Sequence, residues 1–417
     1  MLLLSLHAAA TFLDPFLKSG NQSREENSGI GTAANLLAEG KLEASRAAFN
    51  AILDREPNSV AALLGLADIA YVENNDAVVK QFIDRAIGEN PDSAVAQTAM
   101  GRYHYLNGSI ELAVSNFDAA IRLDPMLVDP HLELGSLYAT EQDTADKALM
   151  HYETAVKLAP DNVVIRYAYA SVLDSKGQLD AALKQLDIAQ ALVPESGFPF
   201  QVRGTLLANH RRNDKALEAF ENALALNPAD VQSLWAQGEI LFGSGKMEPA
   251  TVSYEKALAI NPQHTLAMFR LAMIKQMNGD FASAEPLYRQ AIQIDPDFAF
   301  ALNNLAFGAA EIPGRAKEAL TWAQGAVELQ PDNPEFQDTL AMVLDVSGKY
   351  QEAIAVLKKL SATYPSYFDA VYRLARLYEK TGDKTQARAL YQQLLKTQSN
   401  HSQTLEVRER LEAMGPG

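Results

Sequence analysis

The stretch at residues 229–262, ADVQSLWAQGEILFGSGKMEPATVSYEKALAINP, decides the fold of this chain. It contains two short segments with helical character, separated by a turn at Gly245. Pro262 closes the stretch, because a proline cannot continue a helix and biases the residue before it away from helical geometry. The same arrangement begins again directly after Pro262, so the stretch is one unit of a repeat.

Prolines and alanines recur at a nearly constant spacing along most of the chain. Ten prolines follow one another at intervals of 34 or 35 residues: Pro57, Pro91, Pro125, Pro160, Pro194, Pro228, Pro262, Pro296, Pro331 and Pro365. From Pro125 onward an alanine stands twelve residues before each proline: Ala113, Ala148, Ala182, Ala216, Ala250, Ala284, Ala319 and Ala353. A register this long indicates a repeat architecture in which each unit stacks on its neighbours.

Small and large residues alternate at fixed places within the unit. The first helix carries a small residue near its middle: Gly101, Gly135, Ala170, Gly204, Gly238, Ala272, Ala306, Ala341 and Ala375. The second helix carries a ring four residues after its alanine in most units: Phe117, Tyr152, Phe220, Tyr254, Tyr288 and Tyr391. Because helices approach closely only where no large side chain separates them, this alternation predicts tightly packed helix pairs.

On these residues the chain resembles a tetratricopeptide repeat (TPR) protein. The resemblance covers residues 24–399 and implies an all-α, right-handed superhelical solenoid of about 11 helix-turn-helix repeats with a C-terminal capping helix and no sheet. The repeats are expected at 24–57, 58–91, 92–125, 126–160, 161–194, 195–228, 229–262, 263–296, 297–331, 332–365 and 366–399. Residues 1–23 are interpreted as an apolar leader and polar linker, and 400–417 as the capping helix and tail.

Composition excludes several classes of function. The net charge of −16 argues against nucleic acid as a ligand, because phosphate binding needs a basic surface. The chain has no cysteine, which excludes disulfides, thiol catalysis and Cys-based metal sites. The absence of cysteine also excludes attachment as a bacterial lipoprotein.

The first thirteen residues, MLLLSLHAAATFL, leave two alternatives open. They are too few to span a bilayer, so we expect no integral membrane span here. An apolar run followed by Ala8-x-Ala10 resembles a secretory signal with its cleavage site, although the usual basic start is missing. The other interpretation is a cytoplasmic protein whose apolar N-terminus folds onto the first repeat. The sequence slightly favours export to the periplasm or cell envelope.

No catalytic, cofactor or metal site can be recognised. The seven histidines are His7, His104, His131, His151, His210, His264 and His401, and none has the spacing of a metal ligand. Phosphate loops and Gly-x-Ser-x-Gly elbows are absent. We therefore predict a non-enzymatic protein without cofactor or metal.

The resemblance implies where a partner binds. In the TPR family the first helices line a concave groove, with repeat positions 2, 5, 9 and 12 facing it. Position 5 here comprises Leu64, Thr98, Leu132, Tyr167, Gln201, Trp235, Phe269, Asn303, Asp338 and Tyr372. Position 9 adds Arg102, Met273, Phe307, Met342 and Arg376, and position 12 adds Tyr71, Tyr105 and Phe242. Aromatic residues and methionine on such a surface are typical of peptide binding.

The candidate groove residues follow from this mapping. They are Tyr167, Trp235, Phe242, Phe269, Met273, Asn303, Phe307, Tyr372, Arg373 and Arg376. Trp235 is expected to be the main anchor, with Asn303 as a hydrogen-bonding handle. Arg373, Arg376 and Lys380 are expected to receive an acidic segment of the partner. The Lys and Asn pair with which some TPR co-chaperones hold a C-terminal carboxylate does not occur, so no chaperone carboxylate clamp is predicted.

The ninth and tenth repeats carry a second resemblance. Trp322, the link Pro331–Pro334 and Asp338–Leu340 are similar to TPR proteins of bacterial exopolysaccharide and PEP-CTERM (exosortase) systems. The chain departs from that group at Ala341 and Met342, and it lacks the lipidated cysteine common there. Two functions are therefore predicted: a scaffold that holds a protein in the groove within an envelope or polysaccharide assembly, or a cytoplasmic regulatory adaptor acting on a separate catalytic partner.

Overall fold

The structure is a computed structural model that describes residues 12–13, 24–140, 142–397 and 403–415. The rest of the predicted leader and linker, 1–11 and 14–23, lies outside the described residues, as do 398–402 and the last two residues of the tail. The described part contains 23 α-helices and no strand, which confirms the all-α prediction of paired helices with a C-terminal cap.

The helices fall into two compact units, Met1–Asn227 and Pro228–Gly417. The first unit contains α1 Arg24–Ala38, α2 Leu42–Leu53, α3 Val60–Val72, α4 Asp76–Glu89, α5 Ala94–Leu106, α6 Ile110–Leu123, α7 Val128–Tyr138, α8 Ala145–Leu158, α9 Val163–Ser175, α10 Leu179–Leu192, α11 Phe198–Asn209 and α12 Asn213–Leu226. A short 3₁₀ turn, Gln142–Thr144, precedes α8.

The second unit continues the same alternation of first and second helices. It contains α13 Val231–Gly243, α14 Met247–Ile260, α15 Thr265–Met277, α16 Phe281–Ile294, α17 Ala299–Ala310, α18 Ala316–Leu329, α19 Pro334–Val346, α20 Tyr350–Thr363, α21 Phe368–Lys380, α22 Lys384–Thr397 and α23 Thr404–Ala413. Odd-numbered helices up to α21 are the first helices of their repeats, and even-numbered helices are the second.

Local chemistry determines both ends of α13, the first helix of the quoted unit. Asp230 precedes α13, and its Oδ1 accepts hydrogen bonds from the backbone N–H groups of Gln232 and Ser233 at 3.1 and 3.2 Å. Gly245 follows α13 with φ +74°, a left-handed conformation that costs glycine little. The chain can therefore reverse within a few residues and begin α14.

Close packing inside the repeat is achieved by a glycine facing a ring. A Cβ built on Gly238 would lie 2.5 Å from Cε1 of Tyr254, and the Tyr254 side chain is fully buried. The small residue of the first helix thus accommodates the aromatic ring of the second, while Ala250 is completely buried beside it. The core is consequently a row of small clusters along the helix pairs.

The last helix covers the end of the second unit. Val407 of α23 is fully buried and packs in one cluster with Phe368, Tyr372 and Tyr391 of the last repeat. Arg388 of α22 also donates to the backbone carbonyls of Met414 and Gly415. The apolar face of the final repeat is therefore not left to solvent, as expected of a capping helix.

Candidate functional site

Five successive first helices of the second unit present a residue at the same place in the repeat. These residues are Trp235 on α13, Phe269 on α15, Asn303 on α17, Asp338 on α19 and Tyr372 on α21. Their common register makes them neighbours in a row, and we call this row with its adjoining residues the first-helix surface. The candidate site is built from the contacts each member makes.

Trp235 is half-buried at one end of the first-helix surface. Its ring centroid lies 5.5 Å from that of Tyr254 and 5.1 Å from that of His264. The Tyr254 ring is fully buried, so one face of the indole is held by the core while the side chain keeps partial exposure. Trp235 thus has a packing role beside any role in binding, and truncating it would cost stability as well as contact area.

Phe242 lies next to a salt bridge that joins two first helices. Arg270 of α15 donates from Nε and Nη2 to the two carboxylate oxygens of Glu239 on α13, at 2.8 and 2.9 Å. Its guanidinium lies 5.0 Å from the centre of the Phe242 ring. The Tyr254 hydroxyl also donates to Glu239 at 2.6 Å. Burial and the Glu239 carboxylate raise the pKa of Tyr254, which therefore remains a donor.

Phe269 and Met273 differ in exposure although they share a helix. Phe269 is only 8% exposed, and its ring lies 4.9 Å from that of Phe298 and 5.9 Å from that of Tyr288. Met273 is half-buried, with its sulfur 3.7 Å from Nη1 of Arg270. Phe269 consequently contributes mainly to the core, whereas Met273 keeps part of its side chain available.

Asn303 and Phe307 occupy consecutive turns of α17. Asn303 is 8% exposed; its Nδ2 donates to Oδ1 of Asn304 at 3.3 Å. Its own Oδ1 is buried and has no hydrogen-bond partner among the described residues. Phe307 is 39% exposed and belongs to none of the core clusters of this part of the chain. An apolar side chain open to solvent therefore lies one turn from a buried acceptor that lacks a donor.

Tyr372, Arg373 and Arg376 line a cleft of about 680 Å³ between α19, α21 and α23. Tyr372 is 8% exposed, and its hydroxyl accepts from Nε of Arg410 at 3.2 Å. Arg373 holds Asp338 with two hydrogen bonds of 2.9 and 3.2 Å. Arg376 is half-exposed, with its nearest carboxylate, that of Glu406, 4.0 Å away.

The charges of this cleft are balanced. Its lining includes four cations, Arg373, Arg376, Lys380 and Arg410, and four carboxylates, Asp345, Asp369, Glu379 and Glu406. Lys380, for example, is paired with Asp345 at 2.7 Å. An acidic segment of a partner would therefore meet as many carboxylates as cations. Arg376 and Lys380 are about equally exposed, and Arg376 is the less closely paired of the two.

Tyr167 lies in the first unit, apart in the chain from the other candidates. It is half-buried on α9 and makes an edge-to-face contact with Phe198 at 4.8 Å. Arg102, which the groove mapping placed at position 9, is 7% exposed on α5. Its Nε donates to Glu133 at 2.6 Å and its Nη2 to Asp129 at 3.1 Å, both on α7. Arg102 therefore joins two first helices rather than offering a charge to a partner.

A histidine pair is the feature that sequence spacing did not reveal. His131 on α7 and His151 on α8 have their Nδ1 atoms 3.2 Å apart, and each residue is 8% exposed. Burial lowers the pKa of both, that of His151 to about 4. The stacked ring of Tyr138 and the carboxylate of Asp118 face His151, and the backbone carbonyl of Pro125 faces His131. The pair could have been found from the packing of a first helix on its second helix, which brings positions about 20 residues apart into contact.

The described residues contain neither a cluster of metal-ligating side chains nor a helix that could span a membrane. The described ranges contain no group of three or more His, Cys, Asp or Glu residues arranged to hold a metal ion. Within those same ranges, every helix is too short or too polar to cross a bilayer.

Family comparisons identify the repeats. Two models of the tetratricopeptide repeat match the chain, one at residues 36–103, 139–196 and 347–411, the other at 98–162, 202–265 and 269–334. Together these segments account for well over half of the chain.

The individual proteins that the chain resembles share little of its sequence. The chain is 28% identical over 139 residues to the "Protein CTR9 homolog" of Arabidopsis thaliana, which is 33% of this chain and 13% of that protein. Among solved structures, yeast Tom70 is 15% identical, covering 93% of this chain and 95% of that chain at a TM-score of 0.38. YrrB, described as a TPR protein with an unusual peptide-binding site, is 22% identical, covering 45% and 96% at a TM-score of 0.35. This chain thus matches only a small part of the curated relative's length.

Proposed function

The chain belongs to the tetratricopeptide repeat family, and from that premise we propose that it is a non-enzymatic scaffold that binds a protein segment on the first-helix surface of its second unit. TPR proteins serve as protein-interaction modules, which supports the general function. The residues that do the binding follow from the chemistry of α13, α15 and α17.

The observation that carries the proposal is the buried oxygen of Asn303. A buried acceptor without a donor costs about 1–3 kcal/mol, and a hydrogen bond from a ligand recovers that cost. A backbone N–H of a bound segment is a suitable donor, and because Oδ1 is closed to solvent, the Asn303 side chain must rotate to meet it. Phe307, one turn further along α17, offers the apolar surface against which the same segment would lay a side chain.

Anchoring by Trp235 complements this contact. Aromatic residues held on one face and exposed on the other often dominate binding energy, because the ring is already immobilised before the partner arrives. The stacking of Trp235 on Tyr254 and His264 supplies that immobilisation. Phe242 and Met273, both half-buried around Arg270, extend the apolar surface between Trp235 and α17.

A crosslinking experiment tests the location of binding. A photoreactive phenylalanine analogue replaces Phe307 in one variant and Val252 in a control variant. Val252 is 49% exposed on the second helix α14, so the control matches the first variant in exposure but not in surface. Partners from the source cells should crosslink through position 307 and not through 252. Equal or greater yield from 252 would refute binding on the first helices.

Asn303→Leu tests the mechanism of recognition. Replacing the amide by an apolar group of similar volume removes the unsatisfied acceptor but also the donor to Oδ1 of Asn304, so the stability of the free protein should change little. The affinity for the crosslinked partner should nevertheless fall about tenfold, because the hydrogen bond is lost. The affinity should thus fall without a comparable loss of stability. An unchanged affinity would show that Asn303 does not contact the partner.

The cellular setting is a second part of the proposal. The resemblance of the ninth and tenth repeats supports an envelope or exopolysaccharide assembly, and the alternative is a cytoplasmic adaptor for a catalytic partner. The first residue of the mature protein distinguishes them. Cleavage after Ala10, detected by mass spectrometry of the protein from its source, supports export, whereas an intact N-terminus in the soluble fraction supports the adaptor.

A further inference from the structure

Helix α3 is buried on every side, unlike the other first helices. Residues 61–70 of α3 are all buried, whereas α13 buries only Ser233, Leu234 and Gly238. A first helix with an open inner face keeps exposed positions every three or four residues, and a helix that is buried all round must be covered on that face as well. Another part of the protein must therefore cover the inner face of α3, whereas the corresponding face of α13 is exposed to solvent.

The cover is supplied by the chain itself. Phe12 is fully buried and Leu13 is 2% exposed, and both belong to the core cluster that contains Leu64. The ring of Phe12 makes an edge-to-face contact with Tyr71, with centroids 5.9 Å apart. Leu64 and Tyr71 are at positions 5 and 12 of the second repeat, which the sequence mapping assigned to the groove. Residues 12–13 thus occupy the groove face of α3.

The backbone of this segment is held by one carboxylate. The N–H of Phe12 donates to Oδ1 of Asp68 at 2.6 Å, and the N–H of Leu13 donates to Oδ2 at 3.1 Å. Asp68 is 3% exposed and lies at position 9, between Leu64 and Tyr71. Charge-assisted hydrogen bonds to two consecutive N–H groups recognise the main chain, and the surrounding apolar surface recognises the side chains.

We propose that the groove face of α3 is a second peptide site, which binds a bent segment with two adjacent bulky apolar residues, and that residues 12–13 occupy it in cis as a competitor. This site lies in the first unit and does not depend on the first-helix surface of the second. A foreign segment of the same chemistry binds only when it displaces Phe12 and Leu13.

Tethering makes the competition strong. A ligand that belongs to the same chain as its binding site can reach an effective concentration in the millimolar range. If the same segment binds with a Kd of about 1 μM when it is free, the cis form is favoured on the order of 1,000-fold. The apparent affinity for a foreign segment falls by the same factor, because only the open fraction can bind it.

The test uses the full chain and a labelled peptide of residues 10–16, ATFLDPF, followed by fluorescence anisotropy. The variant Phe12→Ser/Leu13→Ser removes the competitor and leaves Asp68 in place. It should bind the peptide at least tenfold more tightly than the wild type does. Equal affinity of the two proteins, or no binding to a folded double variant, would overturn the proposal.

Two controls isolate the contacts. A peptide methylated on the Phe and Leu backbone nitrogens lacks both donors and should bind the double variant at least tenfold more weakly. Asp68→Asn in the double-variant background should lose affinity to a similar extent, since one carboxylate oxygen is replaced by a donor. If the methylated peptide binds as well as the unmodified one, backbone recognition by Asp68 is refuted.

Circular dichroism shows whether the double variant folds. If it does not, a milder variant takes its place. Phe12→Leu keeps an apolar side chain but loses the edge-to-face contact with Tyr71, and should raise peptide affinity about threefold. An unchanged affinity would count against cis competition. Sedimentation of the wild type gives a further check: a dimer that disappears in the Phe12→Leu variant would mean that the segment docks on a second copy, which contradicts the cis arrangement.

Discussion

Replacing Arg102 by methionine is the most direct test of how the first helices are held together. Arg102 of α5 holds Glu133 at 2.6 Å and Asp129 at 3.1 Å on α7, and the three side chains are 8%, 11% and 4% exposed. Methionine keeps the length and apolar stem of the side chain but removes the charge. The variant therefore leaves two desolvated carboxylates without their shared cation.

The magnitude follows from burial. Removing one partner of a buried ion pair costs about 3–5 kcal/mol, because the remaining charge has lost both water and its counter-ion. We expect about 3 kcal/mol, the lower end of the range, since Asp129 and Glu133 have further interactions. Arg122→Met is the matched control: Arg122 is exposed on α6, so its loss should change the free energy of unfolding by no more than about 0.5 kcal/mol.

The assay combines urea denaturation with hydrogen exchange. In a repeat protein, damage is transmitted mainly to neighbouring repeats, so exchange should rise first in α5–α8 and remain unchanged in Pro228–Gly417. The triple variant Arg102→Met/Asp129→Asn/Glu133→Gln should recover at least half of the lost stability, because no charge is then left unpaired. A loss below about 1 kcal/mol for Arg102→Met would refute this account of the ion pair.

Two further predictions concern the core. Ala250→Phe should destabilise by about 1–3 kcal/mol through overpacking and raise hydrogen exchange first within 229–296, whereas Val252→Phe on the exposed side of the same helix should not. The pair His131 and His151 should make stability depend on pH: the unfolded chain takes up a proton on His151 near its ordinary pKa of 6.5, but the folded chain resists until about 4. The free energy of unfolding should therefore fall as the pH drops through this window, and urea midpoints at several pH values should show that His151→Phe reduces the slope.

The helices could be predicted from the sequence because their determinants are local. Pro262 and Gly245 act on the backbone beside them, and the contact of Gly238 with Tyr254 joins two helices that adjoin in the chain. Each repeat contains the residues that determine its own two helices, and the pattern could be recognised because it recurs at a regular spacing. The paired helices and the capping helix were predicted correctly for this reason.

The candidate site was harder to predict because exposure depends on neighbouring repeats. Phe269 and Tyr372 are at groove positions, yet each is only 8% exposed, since rings of adjoining helices cover them. Arg102 is held by residues 27 and 31 positions away, which no local pattern indicates. The docking of Phe12 on Asp68 spans 56 positions and follows from tertiary structure alone.

Helix α17 has a consequence for how the second unit responds to salt. Its sequence, AFALNNLAFGAA, contains no charged residue, so it cannot form an ion pair with α15 or α19. Arg270 ties α13 to α15, and Arg373 ties α19 to α21, so the stretches on either side of α17 are clamped through their first helices.

The second helices on either side of α17, in contrast to α17 itself, are joined by ion pairs. Glu285 of α16 is held by Arg315, the residue before α18, at 2.6 Å, and Arg289 reaches Glu318 at 2.5 Å. The second helices on either side of α17 are therefore joined by ion pairs, whereas α17 itself packs on α19 through apolar contacts such as that of Phe300 with Phe336, whose ring centroids are 5.2 Å apart. High salt screens ion pairs between partly exposed side chains, so it should weaken the contacts between these second helices more than the apolar contacts of α17 with α19.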